Sequence, residues 1–227
     1  MKKIILSIAI FFLINTQSFG HVEHYAKYNY LEYELFRNNN SIGYHKYDFK
    51  RDGNNLSILS EVSFKITKLG VDLYKYFAKS EENYKKGIFK SYFSKTKQNK
   101  KDRYVNIKFD ANIGKLMIDG SSYKGEANKD FIVGTWWNHE IIQKKAQISG
   151  ISGRIIEQTV TFVGKEDIKI GDKTYKTLRF NFKSSDETLP DSKKLNTDIW
   201  YEENTYLWVK AAFDKSGYWE YRLKKVN

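Results

Sequence analysis

Four histidines have the clearest capacity for chemistry in this chain. His21-Val22-Glu23-His24 sets two imidazoles around a carboxylate, and His45 and His139 stand further along. A histidine at a processed N-terminus chelates copper through its amine and imidazole, and His45 or His139 would then complete a brace. The plainer reading is a frayed tail ahead of the first strand, with the remaining histidines in ordinary structural roles. The sequence offers no partners to orient a metal ligand, so neither a metal nor a cofactor is assigned.

Carboxylates come next. Glu81-Glu82, Asp130 with Glu140, and Asp198 with Glu202-Glu203 are the residue types glycoside hydrolysis needs, with tryptophans available to stack on sugar rings. Carboxylates are common on solvated faces, however, and nothing in the spacing selects a pair. Covalent catalysis finds less support. There is no Gly-x-Ser-x-Gly elbow, no histidine beside an evident nucleophile and acid, and no glycine loop suited to a phosphate. The absence of cysteine removes thiol catalysis, thiolate metal sites and disulfides together.

The stretch Thr135-Trp136-Trp137-Asn138-His139-Glu140 holds two of the five tryptophans. Asn138 is a good N-cap, and Glu140 lies where a helix dipole favours an acid, so a short helix is expected from Asn138 to Ala146. Adjacent residues of an extended strand point to opposite faces. One tryptophan is therefore expected in the core and the other at a cavity mouth beside His139. Trp136, Trp137 and His139, with Trp200 late in the chain, are the candidate ligand-binding residues; the alternative is a plug that only fills the core.

The elements that must hold this segment read as strands. Leu56, Ile58, Val62, Phe64 and Ile66 share one face, with Ser57, Glu61, Ser63, Lys65 and Thr67 opposite. Asp52-Gly53 and Gly171-Asp172 mark hairpin turns. Ser80 to Gly87 reads as a polar connection, and the stretch from Asp119 to Asp130 as a loop. Arg154–Val163 and Lys165–Ile170 read as two strands. Strand follows strand with one short helix, which excludes a parallel βαβ arrangement. The expected architecture is mainly β: a strongly curved antiparallel sheet or incomplete barrel, with a β-sandwich as the alternative.

Residues 1–20 stand apart from this pattern. Lys2 and Lys3 precede an apolar run from Ile4 to Ile14, and Ser18 and Gly20 are small residues near its polar end. This is the layout of a secretory signal peptide, and the run is too short to span a bilayer comfortably. The expected mature chain is one β-domain over residues 21–227, monomeric and periplasmic. The net charge of +12 comes mostly from lysine. A nucleic-acid binder would favour arginine for bidentate contacts, and export removes the chain from nucleic acid. An anionic membrane surface remains a candidate partner for Lys95-Lys97-Lys100-Lys101-Arg103; the alternative is a charged edge that discourages strand pairing.

Three stretches carry a resemblance. Ser41 to Phe49 with Arg51-Asp52-Gly53, then Trp136-Trp137-Asn138 with Ser152-Gly153-Arg154, then Asp198-Ile199-Trp200-Tyr201 with Trp208-Val209 and Tyr221-Arg222-Leu223, resemble a family of exported bacterial proteins, domain of unknown function six-one-three-four. That family is distantly similar to periplasmic lipoprotein carriers, in which an open barrel wraps a helix around an apolar cavity. The resemblance implies an incomplete barrel and an apolar or lipid-like ligand, by analogy of fold. The helical segment here is much shorter than the carriers' lid. The expected function is a non-enzymatic module binding such a ligand or an envelope partner; the rival is an envelope enzyme acting on glycan or lipid. N-terminal sequencing of the exported protein should return His21 as the first residue, and a chain starting at Met1, or beyond Tyr28, would refute the leader assignment.

Overall fold

The structure is a computed structural model that describes residues 24–227; the leader and His21 lie outside them. Strands make up 68 % of it and helical turns 5 %. The first meander runs β1 (Tyr30–Arg37), β2 (Asn40–Asp52), β3 (Asn55–Lys68), β4 (Val71–Lys85), β5 (Ile88–Gln98), β6 (Lys101–Asp110), β7 (Lys115–Gly120) and β8 (Lys124–Asn128). The second runs β9 (Ile132–Val133), β10 (Ala146–Ile148), β11 (Ile155–Ile170), β12 (Lys173–Ser184), β13 (Asn196–Glu202), β14 (Trp208–Asp214) and β15 (Tyr218–Val226). Every neighbouring pair is antiparallel except β9 with β10.

The two meanders form one 15-stranded sheet, joined in its middle where β1 pairs with β15. The outermost strands are β8 and β9, yet only residues 129–131 separate them in sequence. Four Cα steps cover about 14 Å at most, so the two edges must come close together. The sheet therefore coils almost into a barrel without completing the ladder. Contacts bridge the seam instead. Ser122 N donates to Ser152 O at 2.8 Å, and a side chain on Gly120 would stand 2.6 Å from that carbonyl. Across this seam Val133 and Ile148 pack with Tyr92, Val105, Ile107, Leu116 and Ile118 in a small core. The larger core gathers Leu31, Tyr33, Leu35, Ile58, Trp137, Phe182, Tyr201 and Trp208 on the inner face.

Alternation explains the sides. In β7 the inward residues Leu116, Ile118 and Gly120 are buried and their neighbours exposed. In β3 Leu56 and Ile58 are buried, Val62 and Phe64 are half-buried against the core, and Ile66 is half-buried beyond it. The row shares one face as its period requires, but its burial fades because β3 outruns the core.

Four local expectations need correction. The helix at Asn138 is a 3₁₀ turn over His139–Gln143, with Asn138 capping Glu140 N; residues 146–148 instead pair with β9 and β11. Ser80 to Lys85 belongs to β4, whose pairing with β5 absorbs a bulge at Asn83/Tyr84. The expected loop from Asp119 contains β8. The two strands around Gly164 are one, β11, in which Gly164 sits at a register shift. In each case cross-strand pairing overrode a polar or glycine signal that is local.

Candidate functional site

The short link from β9 to the 3₁₀ turn is built tightly. Gly134 N donates to Ile148 O at 2.9 Å, and a Cβ on Gly134 would stand 2.1 Å from Gln147 Oε1. Trp137 N then donates to Thr135 O at 2.6 Å, which closes a three-residue turn around Trp136 at φ +53°. That geometry is rare and strained for a bulky residue, so the surroundings must hold it. They do so from three separate strands. Tyr47 Oη donates to Thr135 O and Tyr201 Oη to Trp136 O, each at 2.8 Å. Glu82 of β4 accepts from Trp137 Nε1 at 3.0 Å and Thr135 Oγ1 at 3.2 Å, and also from Tyr84 Oη.

Glu82 is 2 % exposed. Burial raises its carboxyl pKa above the ordinary value, against the pull of the three donors around it. The same burial holds the Tyr33, Tyr47, Tyr84 and Tyr201 hydroxyls well above the usual phenol range, so they stay protonated and donate. The turn is thus fixed by neutral phenols aimed at its carbonyls and by one carboxylate aimed at its donors.

The strained turn sends the two indoles in different directions. Trp137 is fully buried, edge-on to Tyr25, Phe49 and Tyr84 at 5.5–5.9 Å between centroids. Trp136 is half-buried and lies edge-on to Trp208 and Tyr221 at 5.5 Å. It walls an inner cavity of about 210 Å³, shared with Tyr76, Tyr92, Tyr221, Val62 and hydroxyls of β3–β5. His45 also lines this cavity. Its Nε2 stands 2.8 Å from Ser60 Oγ, and its Nδ1 is buried without a partner.

His45 and Ser60 form the couple that nucleophilic catalysis would use, and sequence reasoning did not find it. The register signal was there: the turn after Asp52 sets Tyr47 opposite Ser60 and His45 opposite Val62, which makes His45 and Ser60 diagonal neighbours. The couple is not a catalytic one as it stands. Burial pushes the imidazole down to about 3, too weak a base for neutral pH, and no carboxylate orients Nδ1.

The remaining sequence candidates lie elsewhere. His139 stacks on Tyr206 at 4.4 Å, and its Nδ1 stands 2.8 Å from His24 Nε2; neither residue lines the cavity of Trp136. Trp200 is nearly buried between Arg179 and Lys210, each cation 4.9 Å from its ring, and donates to Glu166 Oε1 at 2.7 Å. Among the described residues no three histidine, aspartate or glutamate side chains gather as a metal site. The buried carboxylates among them are Glu82 and Glu220, the latter engaged by Lys210 at 2.7 Å and by Arg222. Each is saturated by its own partners, and the structure gives neither a second carboxylate as partner.

Comparison with known proteins finds a matching family model and likenesses among solved structures. The family model described as domain of unknown function DUF6134 matches residues 33–224. A crystal structure of a β-barrel-like protein of domain of unknown function DUF1849, from Brucella abortus, has a TM-score of 0.59 at 12 % identity, covering 87 % of this chain and 96 % of that one. A DUF1329 family protein from Desulfovibrio piger is matched at 9 % identity over 91 % and 89 % of the two chains, with a TM-score of only 0.26. The first likeness shows the fold alone, and the second carries no argument. A search of curated proteins finds no match.

Two outcomes follow for the site. Glu82→Ala would leave three donors facing an apolar gap, at about 1–3 kcal/mol each, so urea titration should show a loss of about 3 kcal/mol or more. Glu82→Gln should lose less, because one acceptor remains for Trp137. The second outcome concerns pH. An unfolded histidine titrates near 6.5, whereas folded His45 stays neutral down to about 3. Between those values the unfolded chain binds the extra proton. The stability linked to His45 is complete above about 6.5 and falls as the pH drops toward 3. Glu82 acts with the opposite sign but is common to wild type and variant. His45→Gln should therefore lose stability less steeply than wild type between pH 6.5 and 4, as read by urea midpoints.

Proposed function

We propose a non-enzymatic binding function for this chain, which belongs to the DUF6134 family: in the cell envelope it holds a small apolar or amphiphilic molecule in the cavity behind Trp136. The observation that carries this reading is the cavity itself. It is walled by the rings of Trp136, Tyr76, Tyr92 and Tyr221, and no aspartate, glutamate, lysine or arginine lines it. His45 is neutral there. Mostly apolar walls with a few hydroxyls are the usual make-up of a small-molecule site. The volume, about 210 Å³, is below the range of about 300–1,000 Å³ typical of drug-sized ligands. It suits a ring with one or two hydrogen-bonding groups better than a long acyl chain.

The enzyme reading has less support. A glycosidase needs two carboxylates flanking a cleft, whereas Glu82 is spent on the turn. Export rests on the leader in residues 1–20, and a periplasmic setting is part of this proposal. No helix among the described residues is long and apolar enough to cross a membrane.

Native mass spectrometry of the chain purified from the periplasm tests the proposal. A co-purified small molecule is expected on wild type and should be lost in Trp136→Ala, whose truncation weakens binding by about 1–2 kcal/mol or more. Trp136→Ala should leave the unfolding free energy almost unchanged, while Trp137→Ala should cost about 3–5 kcal/mol. No bound molecule, or equal large stability losses in both variants, would reduce the segment to a core plug.

A further inference from the structure

The β3–β4 hairpin projects past its neighbour. The last pairing of β4 with β5 is Tyr76 with Gln98, and Asn99 closes the shorter hairpin by accepting from Lys75 N at 2.7 Å. Beyond that point β3 and β4 continue alone to the turn at Leu69-Gly70. Apolar side chains there are left in solvent: Leu69 is 95 % exposed, Val71 61 %, Leu73 56 % and, lower on β4, Phe77 42 %. Leu69 also holds φ +52°, followed by Gly70 at φ +76°. Asparagine or glycine takes that conformation more readily than leucine. Leu69 therefore costs turn stability and recovers almost nothing by burial within the chain.

Charge surrounds these apolar residues. Six lysines across residues 65–75 and 97–101, together with Arg103, stand against only Asp72 and Asp102. Asp72 is already engaged, by Lys75 at 3.0 Å and Lys65 at 4.0 Å. The outer face of β4 carries Asp72, Lys75, Phe77 and Lys79, and Leu73 stands unpaired at the register shift opposite Ile66 and Thr67. Lys79 lies over the Phe77 ring and Lys95 over Phe93, at 5.5 and 5.7 Å. Below the two tips lies an open concavity of about 900 Å³ floored by Leu59, Phe93 and Tyr104. There Lys79, Lys95, Lys97 and Arg103 are balanced by Asp48, Glu61, Glu81 and Asp102, so the excess of positive charge belongs to the tips.

We propose that the tips of the β3–β4 and β5–β6 hairpins dock on an anionic phospholipid surface, with Leu69, Val71 and Leu73 entering the interfacial layer and the lysines lying among the headgroups. An apolar wedge ringed by cations on flexible apolar stems is matched to that boundary. Lysine is a strongly hydrated point charge, suited to the diffuse field of anionic lipids, whereas a specific phosphate or carboxylate site on a protein partner would favour bidentate arginine. The surface is separate from the inner cavity and does not depend on a ligand there.

Co-sedimentation of the mature chain with phosphatidylcholine vesicles, with and without phosphatidylglycerol, is the test. Wild type should bind the anionic vesicles at low salt, leave them at high salt and ignore the neutral ones. Lys100→Gln with Lys101→Gln should weaken binding about 25-fold, at about fivefold per lysine. Leu69→Asn should weaken it several-fold while leaving the unfolding midpoint unchanged or raised, because asparagine relieves the turn. Trp136→Ala should bind vesicles like wild type, so failure of the cavity reading and failure of this one are distinguishable. The proposal is overturned if wild type stays in the supernatant, if neutral and anionic vesicles bind it equally, or if Leu69→Asn binds as wild type does. It is also overturned if size-exclusion chromatography shows a dimer that Leu69→Asn dissolves while no vesicle binding is seen, since the tip would then be covered by a second copy of the chain.

Discussion

A single buried carboxylate holds the two halves of this sheet around one strained turn. Glu82 stands on β4 in the first meander, and its donors Thr135 and Trp137 follow β9 in the second. A carboxylate accepts several hydrogen bonds at once and donates none when ionised, which is why one side chain can satisfy an indole, a threonine hydroxyl and a phenol together. Burying a charge is unfavourable unless its hydrogen bonds are complete. The same condition makes the arrangement specific: moving the turn would strand both the carboxylate and its donors. The positive φ of Trp136 persists because these contacts, with Tyr47 and Tyr201 on the turn's carbonyls, over-determine it.

Closure of the sheet has a comparably simple origin. A three-residue link between the outermost strands leaves the coil no choice but to bring its edges near each other. It does not require a ladder between them, and the seam is filled by side chains from both edges and by the close approach at Gly120. An unfinished barrel of this kind leaves room inside for a plug and a cavity that a fully packed barrel of similar girth would fill. The likeness to a β-barrel-like structure at 12 % identity fits a fold set by strand order and coil rather than by particular residues.

Chemistry is partitioned by face. Inside, the rings and hydroxyls around Trp136 carry no formal charge, and His45 is kept neutral by its burial. Outside, the hairpin tips concentrate lysine and exposed apolar side chains at one end of the sheet. The two proposed partners, a small uncharged molecule and an anionic surface, make different demands, and the inside of the coil and its hairpin tips would meet them separately.

Much of the fold was legible in the residues. Period-two alternation in β3 and the turn signals at Asp52-Gly53 and Gly171-Asp172 located strands and hairpins, because they report local geometry that no distant contact had to supply. The same local reading singled out the aromatic pair Trp136-Trp137 as a segment held by strands, although it expected a helix where a 3₁₀ turn stands. It failed where local signals competed with pairing: the polar run Ser80-Glu81-Glu82 read as a connection, although Glu82 is there to meet Trp137 from across the sheet. The site was less legible still. His45 and Ser60 touch only through the β2–β3 register, His139 and Trp200 are carried away from the cavity by the coil, and Leu69 reveals its exposure only where β3–β4 outruns its neighbour. Sequence by itself determined which residues alternate and where the chain turns, since those depend on neighbours within a few positions. Only the tertiary structure decided which faces meet, which carboxylate is buried and which apolar residues remain in water, because strand register and coil set those distances.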